Sequence, residues 1–212
     1  MQQRAAQLAG VVAALGVALA AAPALAAPSA YDTAFVSAFA DACIPGRLSY
    51  EATEAAVAKA GWVAAQSSAD PQLGIVEKLT DDVAKKLEPL KGRMVYAAYA
   101  KTIEGLPHFL VISFADLGPA AANESVVGCF LYNFNAVASV DPEAVTALMG
   151  APVADSQVDE HIASYSWAPS PTLPGTRETY LTFVPEVSQY KEQTGFSGQV
   201  LQFNTTVTVE AK

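Results

Sequence analysis

The chain changes character at Arg93. From Ser29 to Leu87 apolar residues recur at helical spacing; beyond Arg93 they come in β-branched and aromatic runs of strand length. Strands kept together in runs, rather than alternating one by one with helices, favour a mostly antiparallel sheet. The fold class read from this order is α+β: N-terminal helices packed on one face of a mostly antiparallel sheet of about six strands, with one disulfide. The switch at Arg93 is not a domain boundary, because a sheet covered by helices needs both parts.

Local signals place the elements. Ser29 caps a helix that carries Phe35, Phe39 and Ala42 and ends before Ile44-Pro45-Gly46. Ser49 caps a second helix from Tyr50 to Ala60, which Gly61 ends. Trp62 follows as a packing anchor. A third helix from Pro71 to Leu87 sets Leu73, Val76, Val83 and Leu87 on one face. Glu104-Gly105 joins Met94–Ile103 and Leu106–Phe114 as a hairpin, and Ser125–Asn133 adds a strand. Asp141-Pro142 starts and Gly150 stops a short helix. Three more strands are predicted at His161–Trp167, Glu178–Val184 and Gln199–Val209. Pro169 to Gly175 between them is turn-rich.

The first 26 residues read as a secretory signal peptide. Arg4 precedes an apolar run from Leu8 to Ala22, and Ala24-Leu25-Ala26 offers a small-residue cleavage site. The run is alanine-rich and short for a membrane span. Pro28 favours a cut after Ala26, leaving a single domain from Ala27 to Lys212 with no later apolar run long enough to span a bilayer. Such a chain is expected in the periplasm or outside the cell. Its formal charge of −9 disfavours nucleic acid and anionic lipid as partners.

Cys43 and Cys129 are the two cysteines. In an oxidising compartment an isolated pair is expected to be a disulfide, worth roughly 4 kcal/mol for a loop of this length in the chain-entropy model. A redox pair needs close spacing such as Cys-x-x-Cys, and a metal site needs clustered ligands. Neither pattern is present, and no cofactor is expected.

Catalytic signals are sparse. There is no Gly-x-Ser-x-Gly elbow and no phosphate loop. His108 stands at a strand start. In a strand, Asp159 and His161 would project to the same side and could form an acid–base pair or half a metal site; a surface turn with ordinary charges is the favoured reading. Ser113 could be drawn into a set with them. Asn123 and Asn204 each open an Asn-x-Ser/Thr triplet, a pattern common by chance.

The aromatic residues are the better candidates. Tyr96, Tyr132, Tyr165 and Trp167, with His161, could line a pocket for a small apolar or glycan ligand. Core packing is the competing reading for the same side chains. Phe130, Tyr132 and Phe134 share the face opposite Cys129 and Leu131, so both faces of that strand need a cover. Helices would cover one; a ligand, a partner chain or the 169–175 loop would cover the other.

These observations favour a non-catalytic exported binding or envelope-associated domain. The alternatives are a small hydrolase using His161 with an acidic partner, and a structural subunit of an envelope complex; for the binding domain an envelope protein is a further candidate partner. Intact-mass analysis of protein recovered from the cells that make it should give an N-terminus at Ala27. A chain that retains Arg4 and its apolar run would contradict the leader reading.

Overall fold

The computed structural model describes residues 27–121 and 124–208. Residues 1–26, where the signal peptide is expected, Ala122, Asn123 and the last four residues lie outside them. Among the described residues are five α-helices and one antiparallel sheet of eight strands, in the order β1-β2-β3-β4-β8-β7-β6-β5. The strands are β1 (Val63–Ala64), β2 (Arg93–Ile103), β3 (Leu106–Asp116), β4 (Glu124–Asn133), β5 (Asp155–Val158), β6 (Ala163–Trp167), β7 (Thr176–Val184) and β8 (Gly198–Thr208). The helices are α1 (Ala30–Cys43), α2 (Tyr50–Lys59), α3 (Pro71–Leu87), α4 (Pro142–Met149) and α5 (Lys191–Thr194).

The sheet has eight strands where six were expected. The two additions, β1 and β5, are its margins. β1 has two residues and β5 four, all exposed. Short, solvated margins discourage edge-to-edge association, and they carry no hydrophobic period to read. The helices are also not confined to the N-terminal part or to one face: α4 and α5 fall between strands, and α3 lies opposite α1, α2 and α4, with α5 on the same side as α3.

Register explains the layering. The paired row Tyr99–Leu110–Leu131–Leu201–Leu181–Tyr165 crosses six strands on the first face. Beside it runs Ala97–Ile112–Cys129–Phe203–Thr179–Trp167. Onto these rows α1 presses Phe35, Phe39 and Ala42, α2 presses Val57, and α4 presses Val145 and Met149. Phe39 meets Phe203 edge-on with ring centroids 5.3 Å apart. The caps formed as read. Ser29 and Asp32 make a reciprocal capping box, Asp141 Oδ1 accepts from the Glu143 N–H at 2.9 Å, and Gly150 ends α4 with φ 64°.

Cys43, the last residue of α1, is bonded to Cys129 in the middle of the second row, with Cα atoms 5.9 Å apart. The bridge therefore fastens the helical layer to the centre of the sheet. The 169–175 loop closes this same face. Leu173 enters the core and the Ser170 hydroxyl donates to the Met149 carbonyl at 2.7 Å, so the loop does not cover the second face.

Replacing both cysteines (Cys43→Ala with Cys129→Ala) is expected to lower unfolding free energy by about 4 kcal/mol, read from the urea midpoint. An unchanged midpoint would mean that the link adds nothing to the packing around it.

Candidate functional site

The second face is built differently. Its rows begin apolar and end polar: Ala98–Val111–Phe130–Gln202–Tyr180–Ser166 and Ala100–Phe109–Tyr132–Val200–Thr182–Ser164. Its apolar side chains are concentrated on β2–β4 and continue through Val200 and Val184; one long helix covers the β2–β4 part, and Tyr190 and Phe196 pack on the rest. Asp70 caps α3 by accepting from the Gln72 N–H at 2.7 Å, and Pro71 occupies the first helical position. Leu73 and Val76 pack on Phe109, Val111 and Tyr132. The start of α3 is pinned by Gln72, whose Oε1 accepts from the Ser197 N–H at 2.6 Å.

Farther along, α3 is less committed. Ile75, Leu79 and Val83 are 43, 45 and 42 % exposed. Val76, Leu79 and Val83 form one helical stripe, and they wall a groove of about 360 Å³ over Phe130, Tyr132 and Val200. Phe130 spreads across Gly128, where a Cβ would fall 2.6 Å from the ring. Tyr132 stacks on Phe134 at 5.1 Å and meets Phe196 edge-on at 5.6 Å. Burial pushes the Tyr132 phenol pKa up. The far rim carries Thr182, Thr194 and Gln202, and no charged side chain lines the groove.

A second cleft, of about 590 Å³, opens on the other flank of α3 against β2. The Tyr96 hydroxyl donates to Glu77 Oε1 at 2.7 Å, and the Tyr99 hydroxyl donates to Glu54 Oε1 at 3.1 Å. Desolvation, reinforced by the carboxylate each one bonds, raises both phenol pKa values. Hydrogen bonds from Ser67 and Tyr96 in turn hold the Glu77 carboxyl below its usual range.

The predicted site residues do not meet in one place. Tyr96 and Tyr132 both lie on the second face, one on each flank of α3. Tyr165 and Trp167 lie on the first face, where the Trp167 Nε1–H donates to Thr146 Oγ1 at 3.1 Å beneath α4. His161 sits in the β5–β6 turn and not in a strand, because Asp159 Oδ1 accepts from the backbone N–H groups of His161 and Ile162 at 2.7 and 3.0 Å. Its imidazole Nε2 is 3.5 Å from Glu160 in an exposed turn. Ser113 belongs to the groove on β3. With β4, β8 and β7 between β3 and β6, it is about 19 Å or more from that turn at the usual strand spacing. Ser113, His161 and Asp159 therefore cannot act as one set.

A buried polar chain links α1 to the sheet. Asn133 Nδ2 donates to the Tyr31 hydroxyl at 2.5 Å, and Tyr31 meets His108 Nε2 at 2.9 Å. His108 Nδ1 lies 2.9 Å from the Leu106 carbonyl, which can only accept. Nδ1 therefore carries the proton and Nε2 accepts from Tyr31, which fixes a neutral imidazole. The desolvation of a fully buried side chain lowers the His108 pKa. Tyr31 and Asn133 escaped notice in the sequence; the available signal was that His108 shares strand parity with Leu110 and Ile112. Among the described residues no three His, Cys, Asp or Glu side chains are grouped to hold a metal ion.

Comparison with protein families, curated proteins and solved structures gives no match that identifies a relative.

Unfolding frees the His108 imidazole to take up a proton near its ordinary pKa of about 6.5. Its contribution should be complete above that pH and diminish as pH falls below it toward the lower folded-state value. Urea midpoints between pH 7.5 and 5 should decline in the natural protein and flatten in His108→Gln. Parallel declines in the two proteins would contradict this assignment.

Proposed function

We propose that this protein is a non-catalytic binding domain, exported from the cytoplasm, that takes a small apolar molecule between α3 and the second face of the sheet. The observation that carries this reading is the groove. An exposed helical stripe, Leu79 and Val83, faces an aromatic floor, and the lining has no charge. An apolar ligand would complete the shelter that α3 provides only in part. Tyr132 is 7 % exposed and offers little ring face on which a sugar could stack, which favours an apolar molecule over a glycan.

Export is supported by the leader pattern and by the Cys43–Cys129 disulfide, a bond that persists in oxidising compartments. No described helix is long and apolar enough to cross a membrane.

The apolar dye N-phenyl-1-naphthylamine should bind with a saturable rise in fluorescence and be displaced by a medium-chain fatty acid. Leu79→Gln with Val83→Gln should weaken dye binding about tenfold, the loss expected when one or two aliphatic contacts are removed, while leaving the melting transition in place. Equal dye affinity in the variant, or no displacement by the fatty acid, would contradict the groove assignment.

A further inference from the structure

The two margins of the sheet differ. β5 pairs with β6 along its whole length, but β1 covers only part of β2. β1 pairs at Val63↔Ala100 and Ala64↔Tyr99, and the Ala65 N–H then donates to the Ala98 carbonyl at 2.9 Å. After that the chain departs through a 3-10 turn at Ser67–Ala69 into α3. β2 itself extends back to Arg93. In an antiparallel ladder each residue turns its N–H and C=O to the same neighbour, so alternate residues serve opposite sides. Met94 and Tyr96 are in phase with Ala98 and turn theirs to the β1 side, where no described strand lies.

The 590 Å³ cleft opens where the β1 pairing ends and reaches the vacant stretch at Tyr96, lined on one side by Ala97 and Tyr99 and on the other by Tyr96 and Ala98. Each side carries one carboxylate: Glu54 of α2 over the first face and Glu77 of α3 over the second. Tyrosine hydroxyls position both, and among the described residues neither forms an ion pair. Other charges nearby include Asp81, which acts on Tyr96, and Glu51 of α2, on which Arg93 at the start of β2 acts.

We infer that the vacant margin of β2 takes an extended segment of another polypeptide with two adjacent basic residues, added antiparallel to β2 in line with β1. Consecutive side chains of a strand point to opposite faces. A Lys-Arg pair therefore places one cation beside Glu54 and the next beside Glu77. Main-chain bonds to Met94 and Tyr96 supply the pairing, and the two carboxylates supply the selectivity. The cleft and the apolar groove open on opposite flanks of α3; Val76 and Val111 line both, but Leu79 and Val83 line only the groove.

A fluorescein-labelled, end-blocked octapeptide, Thr-Val-Thr-Lys-Arg-Thr-Val-Thr, is the probe, and binding is followed by anisotropy at low salt. Saturable binding is expected. Methylating alternate backbone nitrogens, or exchanging Lys-Arg for Glu-Glu, should weaken it at least about tenfold. Glu54→Gln with Glu77→Gln should weaken it by a similar factor, with circular dichroism and melting unchanged, whereas Leu79→Gln with Val83→Gln should leave it intact. That last variant separates failure of this site from failure of the groove. Equal binding of the methylated peptide would show attraction by charge alone and overturn strand addition. So would absence of binding, or a homodimer in size-exclusion chromatography that the peptide does not dissociate.

Discussion

The bond between Cys43 and Cys129 joins the end of α1 to the centre of the sheet, and the rest of the structure is arranged around that attachment. Cys129 stands in a row with Ile112 and Phe203, so fixing α1 there also fixes Phe35 and Phe39 over the apolar middle of the first face. α2 and α4 pack beside it, and the 169–175 loop closes the margin through Leu173 and Ser170. The polar chain from Asn133 through Tyr31 to His108 secures the other end of α1. One helix is thus held covalently at its last turn and by directed hydrogen bonds at its first.

The second face lacks such an attachment. From β8 onward polar positions such as Gln202, Tyr180 and Thr182 enter its rows, although Val200 and Val184 stay buried. α3 covers the β2–β4 part, with Tyr190 and Phe196 packed beside it, and α3 is anchored mainly through Leu73, Val76 and Gln72. The outer part of its stripe stays exposed. That asymmetry leaves an apolar groove on one flank of α3 and an incompletely paired strand on the other. Both candidate binding surfaces follow from one helix covering a half-apolar face.

Elements with strong local chemistry were legible in the sequence. The Ser29, Ser49 and Asp141 caps, the Glu104-Gly105 hairpin and the six longer strands follow from short-range signals that tertiary packing did not override. β1 and β5 were not legible, since a two-residue strand and the polar Asp155–Val158 segment have no apolar period. The opposite placements of Tyr132 and Trp167 depended on register and strand order, which no local pattern encodes. The surface turn favoured for Asp159 and His161 forms, and the strand expected to start at His161 starts at Ala163 instead, because the side chain of Asp159 captures the backbone N–H groups of His161 and Ile162. The position of α3 was the largest gap: its stripe was evident, but not which face of the sheet it would meet.

The account is tested most directly by native-state hydrogen exchange of the oxidised protein, comparing amides of Phe35–Ala42 in α1 with those of Ile75–Val83 in α3. The former should exchange only through global unfolding, and the latter through a local opening of clearly lower free energy. Equal protection of the two segments, or an α1 that opens while α3 stays closed, would contradict a fold with one stapled face and one lightly covered face.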